Sequence, residues 1–352
     1  MSFYVLPANL HRSADVFESL GDLMRPVLAY TEDHVEVTAD HAAVGTFFLD
    51  VKDRTNQLQD QLRRNYSVLG PVTGYYFGAS EALHQVADDY ASVDAQQAAG
   101  YDQLLDCGAE AEHDFTLPPY SGISVDEIRA MLTPPTGWTE VETTWQQGQD
   151  AIDFACSLEW LTYMLVPPVG DPLRGTLADL REAYNGAWMQ VGRAAAALHT
   201  LGRVNHEMNI QVALAAQDLA WGGNAATAAL NNIDRFREVM DGHVSDLYSV
   251  SDFLDMRAYA MVKIMDVAVS LLEWVLDLAT SLNPLDVVDA LSKGRVPPIL
   301  GKILTIIPLV GLCWDLLGAV LGGIGLTFHA LFDTDVAVPA LDPPSTIIGA
   351  PA

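Results

Sequence analysis

Leu219-Ala220-Trp221-Gly222-Gly223-Asn224-Ala225-Ala226 is the stretch whose reading decides the fold. Ahead of it, apolar residues recur in steps of three and four. They are Trp188, Val191, Ala195, Leu198, Leu201, Met208, Val212, Ala215 and Leu219, with Asn205 filling the one missing place. Behind it the rhythm resumes at Ala226, Ala229, Ile233, Phe236, Met240 and Leu247. Such spacing lays one apolar stripe along one side of a helix. Two striped helices joined by a few residues predict an antiparallel hairpin with coiled-coil-like packing. Gly222 and Gly223 are expected to reverse the chain, because glycine takes positive φ without a Cβ penalty. Asn224 is expected to cap the second helix.

Working outward, residues 1–106 also read as helical. Leu10, Ala14, Phe17, Leu20, Met24 and Val27 give an amphipathic helix that Pro26 should disturb, followed by a polar, acidic interval over 31–40. A second helix runs through Val51, Leu58, Leu62 and Tyr66 until Gly70-Pro71 breaks or kinks it, and resumes through Ala82, Val86 and Tyr90. Residues 107–138 are a connection with a short helix in it. Ser124-Val125-Asp126-Glu127 matches a capping box there, and Ile128, Met131 and Leu132 supply its apolar side. The second hairpin is placed at 139–256 and an apolar helical region at 257–332. A tail without periodicity, expected to be disordered, occupies 333–352. Within 259–278 the polar residues Lys263, Asp266, Ser270, Glu273 and Asp277 form a narrow solvated stripe. The expected fold class is therefore all-α: an elongated bundle of two antiparallel helical hairpins plus C-terminal apolar helices.

The 352 residues are half hydrophobic, enough to bury a sizeable core. Asp+Glu 46 against Lys+Arg 18 give a net charge of −28, which repels phosphate backbones and excludes nucleic acid as a partner. It suits a basic partner instead. Cys107, Cys156 and Cys313 are far apart and in no Cys-x-x-Cys pattern, so neither a disulfide framework nor a metal cage is expected. The first ten residues lack the charged-then-apolar order of a Sec-type signal peptide.

Chemistry-bearing residues do not converge in the sequence. Glu110, Glu112, His113 and Asp114 read as solvated acidic loop, and His199 and His206 are too far apart for an i,i+4 pair. No phosphate loop, dinucleotide fingerprint or Gly-x-Ser-x-Gly is present. The expectation is a non-enzyme without cofactor or metal. Between 303 and 332 two uncharged runs flank Asp315, with Pro308 and Gly311 dividing the first and Gly318 and Gly322 forming a small-xxx-small face in the second. Starting at Ile303, they are either a buried helical hairpin or a membrane-active segment, and Asp315 at a bilayer centre would cost about 2.5–3.5 kcal/mol.

Two features carry a family likeness. One is the alanine-rich helix, the Trp221-Gly222-Gly223 turn and the second helix opening on Ala225-Ala226. The other is the recurrence of an aromatic and a carboxylate one helical turn apart, at Tyr90 and Asp94 and again at Tyr248 and Asp252. Together they resemble the Trp-X-Gly (WXG), ESAT-like superfamily of actinobacterial type VII (ESX) secretion substrates, in particular its larger two-hairpin, secretion-associated members. The likeness covers roughly 140–255 well and 1–106 less well, since the first half has no Trp-X-Gly.

The resemblance implies a secreted or cell-surface protein exported without a cleaved signal peptide. It would be a helical interaction and delivery module, with oligomerisation or pore formation as its two possible uses. It implies Trp221, Gly223, Tyr90, Asp94, Tyr248 and Asp252 as export-recognition residues, with the Trp projecting from the hairpin tip. Partners would be the export ATPase or a basic export chaperone, a second WXG protein or another copy of the chain, and a membrane. By the same likeness, Tyr90 and Asp94 should approach Trp221 and Gly223 to form one composite signal. The alternatives are a cytoplasmic helical adaptor and a protein anchored in a membrane by 303–332.

Overall fold

Apolar stripes at helical spacing account for nearly all of the architecture. The structure, a computed structural model, describes residues 4–38, 49–93, 123–135 and 187–281, with isolated positions outside those spans. In chain order its elements are β1 (Tyr4–Val5), α1 (Pro7–His34), α2 (Leu49–Tyr66), α3 (Pro71–Ser92), α4 (Val125–Ala130), α5 (Ala187–Gln217), β2 (Trp221–Gly222) and α6 (Asn224–Thr280). The described chain is thus all-α apart from one two-stranded antiparallel pair.

The first hairpin sets α1 against α2 and α3, which lie end to end along it. Thr31 meets Gln59, Gly21 meets Phe77 and Asp15 meets His84, so positions on α1 fall as those on α2 and α3 rise. The expected break falls between Tyr66 and Pro71, and Pro71 opens α3 at a position where its missing N–H costs nothing. Leu10, Ala14, Phe17, Leu20, Met24 and Val27 are all buried, as their spacing requires.

Helix α1 carries Pro26 inside it and continues to His34. Asp22, whose carbonyl loses its partner there, is exposed, while Met24, Val27 and Tyr30 keep burying apolar surface beyond it. The interval 31–40 is not simply polar: Thr31, Val35 and Val37 are buried, and Asn56 brackets the Val37 backbone. Val37 N–H donates to Asn56 Oδ1 at 3.0 Å and Asn56 Nδ2 donates back to Val37 O at 3.2 Å.

The second hairpin is α5 against α6. Every apolar stripe position from Val191 to Leu219 is buried, and so are Ala226, Ile233, Phe236, Met240 and Leu247 behind the turn. Asn209 Nδ2 donates to Asp241 Oδ1 at 2.7 Å and Ser251 Oγ donates to Ala195 O at 2.8 Å, which fixes the antiparallel register. Helix α6 runs unbroken for 57 residues, about 85 Å at the α-helical rise. The polar stripe at Lys263, Asp266, Ser270, Glu273 and Asp277 is exposed along its length.

The hairpins join along two seams. On one, α1 lies antiparallel to α5: Ser13 Oγ donates to Ala215 O at 2.8 Å and Asn9 Nδ2 to Asp218 O at 2.9 Å. On the other, α3 faces α6 through large rings. Tyr75 stacks on Phe236 with centroids 3.8 Å apart, and Tyr76 meets the same ring edge-on. The result is a four-helix ring, α1–α3–α6–α5, in which every neighbour is antiparallel.

Where Asn205 replaces an apolar residue, it answers two buried polar groups. Its Nδ2 donates to the Tyr66 hydroxyl at 3.1 Å, and that hydroxyl lies 2.6 Å from His243 Nε2. Helix α4 closes the side of α1 and α5. Its capping box is present, Ser124 Oγ accepting from Glu127 N–H and Glu127 Oε2 accepting from Ser124 N–H, and Ile128 is fully buried.

No described helix is long and apolar enough to cross a membrane. The six residues Ile303, Pro308, Gly311, Asp315, Gly318 and Gly322, the tail over 333–352, Asp94 and the three cysteines lie outside the described residues.

Candidate functional site at the turn end of the bundle

The turn between α5 and α6 is built differently from the sequence expectation. Ala220, not a glycine, ends the α5 side with φ 43°, and Gly223 then takes φ 121°. Gly222 serves another purpose. It pairs with Tyr4 in the β1–β2 ladder, while Val5 pairs with Trp221. A Cβ on Gly222 would come 2.4 Å from Tyr4 Cε1, so the missing side chain makes room for the Tyr4 ring. Helix α6 already begins at Asn224, which puts Gly223 rather than Asn224 in the cap position, and Thr227 Oγ1 donates to the Gly223 carbonyl at 3.1 Å.

Trp221 does not project into solvent. It is only 5% exposed, with β1 along its backbone and Tyr90 against its ring. Tyr90, in the last turn of α3, approaches edge-on, with centroids 6.0 Å apart and planes at 71°, a favourable aromatic geometry. Trp221 Nε1 is buried, and its N–H has no hydrogen-bond partner among the described residues. The arrangement brings three segments far apart in sequence to one end of the bundle: the N-terminal strand, the end of α3 and the α5–α6 turn. Trp221, Gly223 and Tyr90 therefore belong to a single site.

Tyr248 and Asp252 do not join it. They sit 24 and 28 residues along α6 from Asn224, roughly 36–42 Å away at the helical rise. Tyr248 lies across Gly202, where an added Cβ would be 2.9 Å from its ring, and against His199 with centroids 5.1 Å apart. Asp252 lines an open cleft of about 360 Å³ with His199, Thr200, Asp255, Pro134 and Pro135. Burial pushes the Asp255 carboxyl up, and the neighbouring Asp252 carboxylate adds to the effect. The cleft is polar and acidic, and the Ser251 hydroxyl on its wall donates to the Ala195 carbonyl.

The sequence reading passed over two things. One is β1, two residues too short to signal a strand. The other is a polar cluster joining α1 to α3: His11, Asp15, Glu18, His84 and Asp88. Its signal was in plain sight as a repeated His-x-x-x-Asp, once in each helix.

Comparison with known proteins gives no matching family model, no matching curated protein and no matching solved structure.

Proposed function

We propose that the protein is a non-enzymatic substrate of type VII (ESX) secretion, exported folded and without a cleaved signal peptide. The observation that carries the reading is the contact between Tyr90 and Trp221. The end of the first hairpin and the turn of the second supply one composite surface within a single chain, as the family likeness implies. The net charge of −28 favours a basic export chaperone or a basic face of the export ATPase as its partner. Once exported, the bundle acts as a helical interaction or delivery module.

The test compares export of the wild type with Trp221→Ala and Tyr90→Ala in a host with the secretion system, with circular dichroism confirming that both variants fold. Export that falls for both supports the reading. Export of both at the wild-type level, or a wild type that stays in the cell when the system is active, overturns it. The burial of Trp221 favours one second reading, a cytoplasmic helical adaptor in which the Tyr90 contact only staples the hairpins together. In that case the wild type stays in the cell.

A further inference from the structure

The cluster between α1 and α3 has a two-fold arrangement. His11 and Asp15 are one helical turn apart on α1, and His84 and Asp88 one turn apart on α3. Because the helices are antiparallel, the pairs cross. His11 Nε2 lies 3.4 Å from Asp88 Oδ1, and His84 Nε2 lies 3.4 Å from Asp15 Oδ1. At the centre the two Nδ1 atoms face each other at 2.8 Å, with ring centroids 5.1 Å apart. Glu18, a further turn along α1, brings a third carboxylate, and donor atoms of Asp15, Glu18 and His84 all lie within 4.8 Å of one another.

We propose that His11, Asp15, Glu18, His84 and Asp88 form a binding site for one divalent cation of the zinc class. The donor chemistry selects the ion. Two imidazoles favour zinc, nickel or copper over magnesium and calcium, which take oxygen ligands. Zinc–nitrogen bonds of about 2.0–2.1 Å put neighbouring ligand nitrogens roughly 3.0–3.4 Å apart, depending on the coordination geometry. The present 2.8 Å between the Nδ1 atoms needs a parting of only a few tenths of an ångström. Asp88 Oδ1, 3.4 Å from His11 Nε2 across the helix interface, is placed where a carboxylate would orient a metal-bound histidine. Glu18 and a carboxylate oxygen of Asp15 complete the ligand set on the open side, where solvent gives the ion a way in.

Three acidic side chains, Asp15, Glu18 and Asp88, gather around the two imidazoles, and a dication would offset their charge. The sites of exposure agree: His11 and His84 are half-buried and hold the geometry, and Asp15, Glu18 and Asp88 are exposed. A bound ion ties the start of α1 to the last turns of α3. Asp88 is two residues before Tyr90, so the ion fixes the segment that sets Tyr90 on Trp221. Binding itself does not rest on the export reading, and its test is independent of secretion.

The experiment uses the full chain, stripped with EDTA and desalted, and titrates it with zinc chloride by calorimetry in a non-coordinating buffer. The expected result is one site per chain in the micromolar range, undiminished by excess magnesium chloride, with a raised thermal midpoint in zinc. The double variant His11→Gln/His84→Gln should lose at least about tenfold in affinity. Asp15→Asn/Glu18→Gln, which alters only exposed groups and so spares folding, should weaken binding in the same direction. Cobalt(II) chloride should give visible absorption bands with the wild type that both variants lose. A wild type without saturable zinc binding overturns the proposal, as does zinc binding at wild-type strength by the exposed-carboxylate variant together with unchanged cobalt bands.

Discussion

Lowering the pH should weaken this fold through one residue, His243. Its ring is buried where α2, α5 and α6 meet, its Nε2 lies 2.6 Å from the Tyr66 hydroxyl, and its Nδ1 has no partner among the described residues. The hydroxyl accepts from Asn205 Nδ2 and keeps a proton of its own that it can give to a neutral imidazole. Burial depresses the histidine from an ordinary 6.5 to about 4. The unfolded chain therefore binds a proton that the folded chain refuses between those two values. The stabilisation from keeping the ring neutral is fully present above about pH 6.5 and is lost as the pH falls through about 4. A depression of that size corresponds to about 3 kcal/mol, approached at a slope of about 1.4 kcal/mol per pH unit.

The assay is urea unfolding followed by circular dichroism at several values between pH 7 and pH 4, for the wild type and His243→Gln. The variant shifts stability at every pH, but only its pH dependence matters. Subtracting it removes the contribution of the other eight histidines and the carboxylates. The difference between the curves should change by about 3 kcal/mol across the window. A flat difference would refute the reasoning, because it would mean that the ring titrates alike in the folded and unfolded chains.

Three further outcomes are expected. Phe236→Ala empties the space between Tyr75 and Tyr76 and should cost about 3–5 kcal/mol by urea unfolding; a loss under about 1 kcal/mol would deny the α3–α6 seam its aromatic anchor. Trp221→Phe keeps a ring beneath Tyr90 but removes the unpartnered N–H, so stability should hold or rise by about 1 kcal/mol, whereas Trp221→Ala should lose about 3–5 kcal/mol. Ala220→Gly relieves a left-handed residue with a side chain and should raise stability by up to about 1 kcal/mol in thermal unfolding, while a loss would show that the φ of 43° is not strained.

How far the sequence led depends on what kind of signal each part carries. The stripes through Val191–Leu219 and Ala226–Leu247 are repeated many times over, so the hairpin and its buried face could be read residue by residue. The break at Pro71 and the capping box at Ser124 are local chemistry and were equally legible. What the sequence could not show is which distant segments meet. Nothing in Tyr4-Val5 announces a strand, because its partner is supplied by Trp221-Gly222. The role of Gly222 was misread for the same reason: its lack of a side chain answers Tyr4, not a need for positive φ. The approach of Tyr90 to Trp221 was expected from family likeness, and its edge-on geometry only the fold could give. Two His-x-x-x-Asp patterns were visible, but no rule of spacing within one helix says that they face each other.

The order of synthesis gives the seam between α1 and α5 a further meaning. Asn9 and Ser13 wait for acceptors that lie 209 and 202 residues later in the chain. From Ser92, where the first hairpin ends, to those acceptors is about 125 residues, roughly 6–25 s at translation speeds of about 5–20 residues per second, in which its second apolar flank has nothing to lie on. The closing of this seam is a late, non-local event with a correspondingly slow approach. For that interval the nascent hairpin offers a long greasy edge, the surface a holding chaperone would grip before the rest of the chain arrives.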